Sequence, residues 1–291
     1  MNQRIKKVAV LGAGAMGSAI AAHLANVGIP SFLLDIVPKE MNEAEKKKGL
    51  SLESPEVRNR FAILGKKRAQ ESSPAAFYWK EDADLITVGN FEDHLSWISQ
   101  ADWVIEAIIE DLNLKRSLFK KLLPFLKEET VVSSNTSGIS IQKMCEGFSR
   151  DFEEQFLGTH FFNPPRYMKL LEIIPASSTS KRVVERMADV GERVLGKGIV
   201  FAKDTPNFIA NRVGAFSVAI TLKTMVEEGY GIEEVEQITG PALGRPKSAT
   251  FRTADLVGLD VMVHVANNLC QTLQDEKEKE YFQPVSYTHL T

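Results

Sequence analysis

The chain has 291 residues, 44% apolar and 25% charged, and its 35 basic and 38 acidic side chains leave a net charge of −3. That length suits one large domain or two of common size, and the balanced charge gives no electrostatic case for a nucleic-acid partner. No apolar run reaches the ~18–20 residues of a membrane-spanning helix, and Cys145 and Cys270 are too few for a disulfide scaffold and too far apart for a CxxC metal or redox motif.

The chain opens MNQRIKK and goes directly into VAVL, an apolar run of the kind buried on both faces of a sheet. With no separate leader stretch ahead of the fold, a cytoplasmic protein is expected. GAGAMG follows at 12–17, then the Ala-rich helical pattern SAIAAHLANVG ending at Gly28, then a second apolar strand, SFLLD, that closes on Asp35. This is a βαβ unit of about 30 residues.

The segment 38–81 is highly charged and poor in β-branched residues, which predicts one or two helices projecting from the sheet as an arm. Strand patterns resume with DLITV at 84–88, DWVIEA at 102–107 and TVVSSN at 130–135, with a helix over 114–126. FLGTHFF at 156–162, KLLEIIP at 169–175 and GIVFA at 198–202 complete the strands, with an amphipathic helix at 181–196. The alternation predicts a doubly wound, mostly parallel α/β domain over 1–202. At Asp204-Thr205-Pro206 a capping residue and a proline open a long helical pattern, and 203–291 reads as an all-α domain.

The glycine motif sits where a dinucleotide fingerprint needs it: after a strand, opening a helix, inside a βαβ unit. Gly12 permits the tight turn, Gly14 lets backbone approach a pyrophosphate, and Gly17 allows close helix–strand packing, with Ala15 and Met16 between them. The helix N-terminus adds N–H donors and partial positive charge. Asp35 lies 18 residues past Gly17, placed to accept from ribose hydroxyls and to repel a 2′-phosphate, so NAD is favoured over NADP.

Removing hydride from an alcohol carbon needs a base for the hydroxyl proton. Of five histidines, His23, His94, His264 and His289 sit in helical, loop or tail contexts that give no such role. His160 ends a strand, at the edge where open α/β sheets hold their ligands. Glu172, 12 residues on, interrupts an apolar run, and a carboxylate there is costly to bury unless paired. Pairing with His160 would fix the imidazole tautomer and raise its basicity; spacing alone leaves two unconnected polar residues as the alternative.

In order along the chain, GAGAMG, VIEAIIEDLNLKRSLF, SSNTSGIS, GTHFFNPP, LLEIIP and DTPNFIANR resemble the L-3-hydroxyacyl-CoA dehydrogenases of fatty-acid β-oxidation, over residues 6 to about 270. The resemblance implies His160 as catalytic base with Glu172 as its partner, Ser137 as a hydrogen-bond donor to the substrate's 3-oxygen, and Asn211 as a residue keeping substrate and catalytic groups in register. It also implies that Glu110, Lys115 and Asn163 line the ribose and nicotinamide region of NAD, with a 3-hydroxyacyl-CoA as substrate and a homodimer formed through the helical domain. Lys66-Lys67-Arg68 would meet CoA phosphates on the functional reading of the arm; the alternative is a solvated helical face.

The version GRPKSATFRTADLVGLDV at 244–261 is similar to a subtype in large bacterial proteins that carry an enoyl-CoA hydratase-like domain afterwards. The family's glycine-rich closing motif is absent and PVSYTHLT at 284–291 matches nothing in it, so an N-terminal fragment with an incomplete helical domain is expected. Two other functions stay open on sequence: a related β-hydroxyacid dehydrogenase acting on free acids, and a non-catalytic NAD-binding protein or inactive fragment.

Overall fold

A computed structural model describes residues 4–245, 247–273, 275, 276, 279 and 282; the tail 284–291, with His289, lies outside them. The chain divides into two compact units, Met1–Asp204 and Thr205–Thr291.

In the first unit, β1 (Val8–Leu11), α1 (Ala15–Asn26) and β2 (Ser31–Asp35) form the opening βαβ unit. Then come α2 (Glu43–Lys47), α3 (Pro55–Arg58), α4 (Arg60–Glu71), β3 (Ile86–Asn90), β4 (Trp103–Glu106), α5 (Leu112–Leu122) and β5 (Val131–Ser134). The unit closes with α6 (Ile141–Cys145), α7 (Arg150–Glu154), β6 (Phe156–Phe161), β7 (Leu170–Pro175), α8 (Lys181–Asp189) and β8 (Gly198–Phe201). The eight strands form one sheet in the order β3-β2-β1-β4-β5-β6-β7-β8, parallel throughout except for the antiparallel β6–β7 pair. All four residues of β1 and of β4 are buried, which explains why these strands read as short apolar runs with no alternation. Strand order reverses between β1 and β4, the position at which doubly wound sheets open a crevice beyond their strand ends.

The charged segment is not a projecting arm throughout. It forms three helices, and α4 turns a narrow stripe of small residues, Ala62, Gly65 and Ala69, into the core against α1. A Cβ on Gly65 would lie 2.5 Å from the Ala13 carbonyl oxygen, so only glycine allows this approach to the glycine-rich loop. Two residues of the basic run have local partners: Lys66 donates to the Ile86 carbonyl at 3.0 Å and Lys67 lies 3.8 Å from Glu71. Small residues carry too little hydropathy to stand out among so many charges, and that is why the packing face was invisible in the sequence.

In the second unit the described residues form α9 (Ala210–Glu228), α10 (Ile232–Thr239), α11 (Phe251–Val257) and α12 (Leu259–Thr272), with no strand among them. The sequence placed a helix start at Asp204-Thr205-Pro206; α9 instead begins at Ala210, after Asn207 and Phe208 adopt φ of 56° and 51°. Asp204 does cap a helix, but a different one. Its carboxylate accepts from Ser140 Oγ (2.7 Å) and from the Ile141 and Gln142 N–H groups (both 2.9 Å) at the start of α6. Among the described residues no helix is long and apolar enough to cross a membrane.

One buried group gives the first unit a pH dependence. His23 on α1 is 6% exposed, its Nε2 lies 3.2 Å from the Leu195 carbonyl oxygen, and Nδ1 has no hydrogen-bond partner. Burial, followed by the nearby charge of Lys197, lowers its pKa from 6.5 to about 4. The folded form therefore holds the neutral ring, so this contribution is complete above 6.5 and is lost as pH falls toward 4. At ~1.4 kcal/mol per unit it amounts to about 3 kcal/mol. Thermal melts between pH 7 and pH 4 should show His23→Leu losing less stability than wild type over that window; parallel curves would remove His23 as the cause.

Candidate active site

The site is assembled at one edge of the sheet, from the segments that follow β1, β4, β5 and β6. After β1, Gly12 has φ of +102° and donates its N–H to the Leu34 carbonyl at 2.7 Å; a Cβ there would sit 2.5 Å from the Ala107 oxygen. A Cβ at Gly17 would fall 1.8 Å from the Gly12 oxygen, so α1 meets the turn at a distance that excludes any side chain. Gly14 differs: it is exposed, and nothing lies within 4 Å of where its Cβ would be. Ala15 is exposed beside it and Met16 half-buried.

No side chain caps the N-terminus of α1 and no acidic residue sits in its first turn. A helix start with open space before it, uncapped N–H groups and an unneutralised dipole suits a pyrophosphate. Asp35, at the tip of β2, is tied to the same loop: Oδ2 accepts from the Ala13 N–H at 2.6 Å and Oδ1 from the Ile36 N–H at 2.7 Å. Each oxygen keeps a further lone pair for a ribose hydroxyl. These residues fit an adenine dinucleotide.

Beyond β4 and β5 lies a polar network. Lys115, 1% exposed, donates to Glu106 Oε1 at 2.6 Å and lies 3.3 Å from Glu110 Oε2. Glu110 Oε1 accepts from Thr136 Oγ1 at 2.5 Å and from the Ser137 N–H at 3.0 Å, with Ser137 Oγ 3.5 Å away. Burial drives the Glu110 carboxyl up, but Lys115, Thr136 and the Ser137 N–H together outweigh that and hold it below the ordinary range. Glu110, Lys115 and Ser137, separate in the sequence, are thus one cluster.

His160 and Glu172 are direct cross-strand partners in the β6–β7 ladder. His160 Nδ1 lies 2.7 Å from Glu172 Oε2, with His160 5% exposed and Glu172 fully buried. An antiparallel pair sets facing side chains ~4.5–5.5 Å apart at Cβ, and the two residues need no loop to bring them together. The carboxylate accepts a hydrogen bond from the Nδ1–H, which keeps that proton on Nδ1 and leaves the Nε2 lone pair free to take a proton. The Phe162 ring sits 4.4 Å from the imidazole, and the Phe161 N–H donates to Asn135 Oδ1 at 2.9 Å, tying the end of β6 to the loop after β5.

Asn163 is exposed, on the segment just past β6. Asn211 lies in the first turn of α9, in the second unit. Sequence reasoning missed Glu106, Ser134 and Asn135. Glu106 carried a signal related to that of Glu172, a carboxylate in an otherwise apolar strand, WVIE.

Residues 7–205 match the family model for the 3-hydroxyacyl-CoA dehydrogenase NAD binding domain, and residues 208–288 match that for the 3-hydroxyacyl-CoA dehydrogenase C-terminal domain. The chain belongs to the 3-hydroxyacyl-CoA dehydrogenase family. It is 51% identical over 287 residues to a probable 3-hydroxyacyl-CoA dehydrogenase of Bacillus subtilis, covering 99% of this chain and 36% of that protein. A similarly named protein of Deinococcus radiodurans is 47% identical, with 94% and 75% covered. The chain thus spans about a third of the first relative's length and three quarters of the second's. Among solved structures, M. tuberculosis FadB2 aligns with a TM-score of 0.77 at 26% identity, covering 99% of this chain and 93% of that one. The (S)-3-hydroxybutyryl-CoA dehydrogenase of Ralstonia eutropha gives 0.71 at 27%, covering 95% and 90%. The family's N-terminal model describes an NAD binding domain, and NAD is the cofactor.

Proposed function

We propose that the chain catalyses the NAD-dependent oxidation of an L-3-hydroxyacyl-CoA to the 3-ketoacyl-CoA in fatty-acid β-oxidation, with His160 as general base. The observation that carries this is the buried 2.7 Å His160–Glu172 pair, at the same sheet edge as an open glycine cradle. The names of the relatives give the substrate class.

Gly12, Gly14, Ala15, Met16 and Gly17 would form the cradle for the pyrophosphate of NAD, Asp35 would meet the adenosine ribose, and Glu110, Lys115 and Asn163 would line the ribose and nicotinamide end. When bound, NAD supplies the acceptor for the hydride leaving C3. His160 Nε2 takes the C3 hydroxyl proton, because Glu172 holds the other ring proton on Nδ1. The imidazolium formed is stabilised by the Glu172 carboxylate, already in place and shielded from water. Ser137 donates to the 3-oxygen and Asn211 keeps the substrate in register. In the reverse direction the protonated His160 is the acid. The enzyme acts in the cytoplasm, as a homodimer joined through its helical unit.

The decisive measurement is the loss of NADH absorbance with acetoacetyl-CoA, run beside free acetoacetate. Turnover with the thioester and none with the free acid is the expected result. Turnover confined to the free acid would assign a β-hydroxyacid dehydrogenase, and NADH binding without turnover a non-catalytic NAD-binding protein.

A further inference from the structure

Glu106 has no part in the mechanism above, yet it is the most completely enclosed carboxylate in the polar network beside the site. It ends β4 fully buried, and its ionic partner Lys115 is 1% exposed. Taking both charges out of water is costly, and a well-packed apolar pair of similar volume is often as stable or more so. Stability alone is therefore a weak reason for this pair. Its geometry supplies a better one.

Glu106 reaches the Thr136-Ser137-Gly138 turn by two routes. Oε1 accepts from Lys115 Nζ, which is paired with Glu110, and Glu110 in turn accepts from Thr136 Oγ1 and from the Ser137 and Gly138 N–H groups. Oε2 accepts from Ser134 Oγ at 2.5 Å, and Ser134 Oγ accepts the Thr136 N–H at 3.2 Å. The Ile108 N–H, donating to Oε1 at 2.7 Å, fixes the carboxylate against its own strand end. The two routes close a ring whose far side is the turn that carries Ser137.

We propose that Glu106 is a positioning residue of the cofactor site: it holds the Lys115 ammonium from beneath, and through Lys115 it sets Glu110 and the turn that Glu110 gathers. The role rests on the assignment of Lys115 and Glu110 to the cofactor side of the site. The other carboxylate against Lys115, Glu110, is at the rim; among the described residues Glu106 alone meets it from the buried end of a strand. Burial pushes the Glu106 carboxyl up, against the opposing pull of Lys115, Ser134 and the Ile108 N–H.

The test is a double-mutant cycle on NADH binding, followed by nicotinamide fluorescence with no acyl substrate present. Glu106→Gln keeps the shape and removes the charge; Lys115→Met removes the cation. Each single variant should weaken NADH binding about tenfold, and the double variant should lose clearly less than the product of the two single losses, because the route from Glu106 through Lys115 is already cut in Lys115→Met and only the Ser134 route remains. Additive losses, or wild-type NADH affinity in Glu106→Gln, would overturn the proposal. Should Glu106→Gln fail to fold, Glu106→Asp keeps the charge but withdraws it by one methylene. It should lower NADH affinity with little change in melting temperature, and unchanged affinity would again overturn the role. A protein that binds NADH but leaves acetoacetyl-CoA untouched would sink the reaction proposed above while leaving this cycle fully readable.

Discussion

Glu172→Gln is expected to lower turnover with acetoacetyl-CoA by roughly 10²–10⁴-fold, the range of a general acid–base contribution, while NADH binds as in wild type. The carboxamide can still sit near His160 Nδ1, but it also offers an N–H donor. If that donor faces the ring, the imidazole must carry its proton on Nε2, the wrong nitrogen for taking the hydroxyl proton. It also removes the negative charge that stabilises the imidazolium once the proton has moved. His160→Gln should fall at least as far, since no base remains, and the two changes together should cost little more than the histidine change alone. Near-wild-type turnover in either single variant would take the proton-transfer role away from this pair. The cofactor assignment would survive that result, because it rests on different residues.

The second large effect separates two glycines of one loop. Gly17→Ala places a methyl 1.8 Å from the Gly12 oxygen, a contact only backbone movement relieves. Forcing that movement should cost about 1–3 kcal/mol of stability and, by displacing the start of α1, about two orders of magnitude in NADH affinity, equivalent to ~2.7 kcal/mol. Gly14→Ala meets nothing within 4 Å and needs no unusual backbone, since φ there is −67°. Its melting temperature should stay within about 2 °C of wild type while NADH binding still weakens, because the added methyl enters the space a pyrophosphate would use. If Gly14→Ala bound NADH normally, this loop would not be the phosphate cradle.

Much of this is legible in the sequence, for physical reasons. The first βαβ unit declares itself because buried parallel strands are continuously apolar and the turn between strand and helix admits only glycine at Gly12 and Gly17. The His160–Glu172 pair was legible because a carboxylate inside LLEIIP needs a partner, and the structure supplies it directly across the ladder. What stayed hidden depends on long-range placement. Asp204 looks like the cap of the helix that follows it in sequence, but its carboxylate is taken by α6, more than sixty residues earlier. The stripe Ala62, Gly65, Ala69 is too weakly apolar to announce a packing face. Glu106 was overlooked because its partner, Lys115, lies on a helix whose other lysines are ordinary surface cations.

The antiparallel β6–β7 pairing also decides how the acid–base pair can break. Side chains alternate across a strand, so a slip of β7 by one residue would turn Glu172 to the opposite face of the sheet. A slip of two would return it to the right face about 7 Å away. No intermediate register leaves the carboxylate partly engaged. Damage to this ladder, by heat or by a substitution remote from the chemistry, should therefore divide the molecules into fully competent and fully silent populations. Partial inactivation would then lower the number of working sites and leave the pH profile of the survivors unchanged.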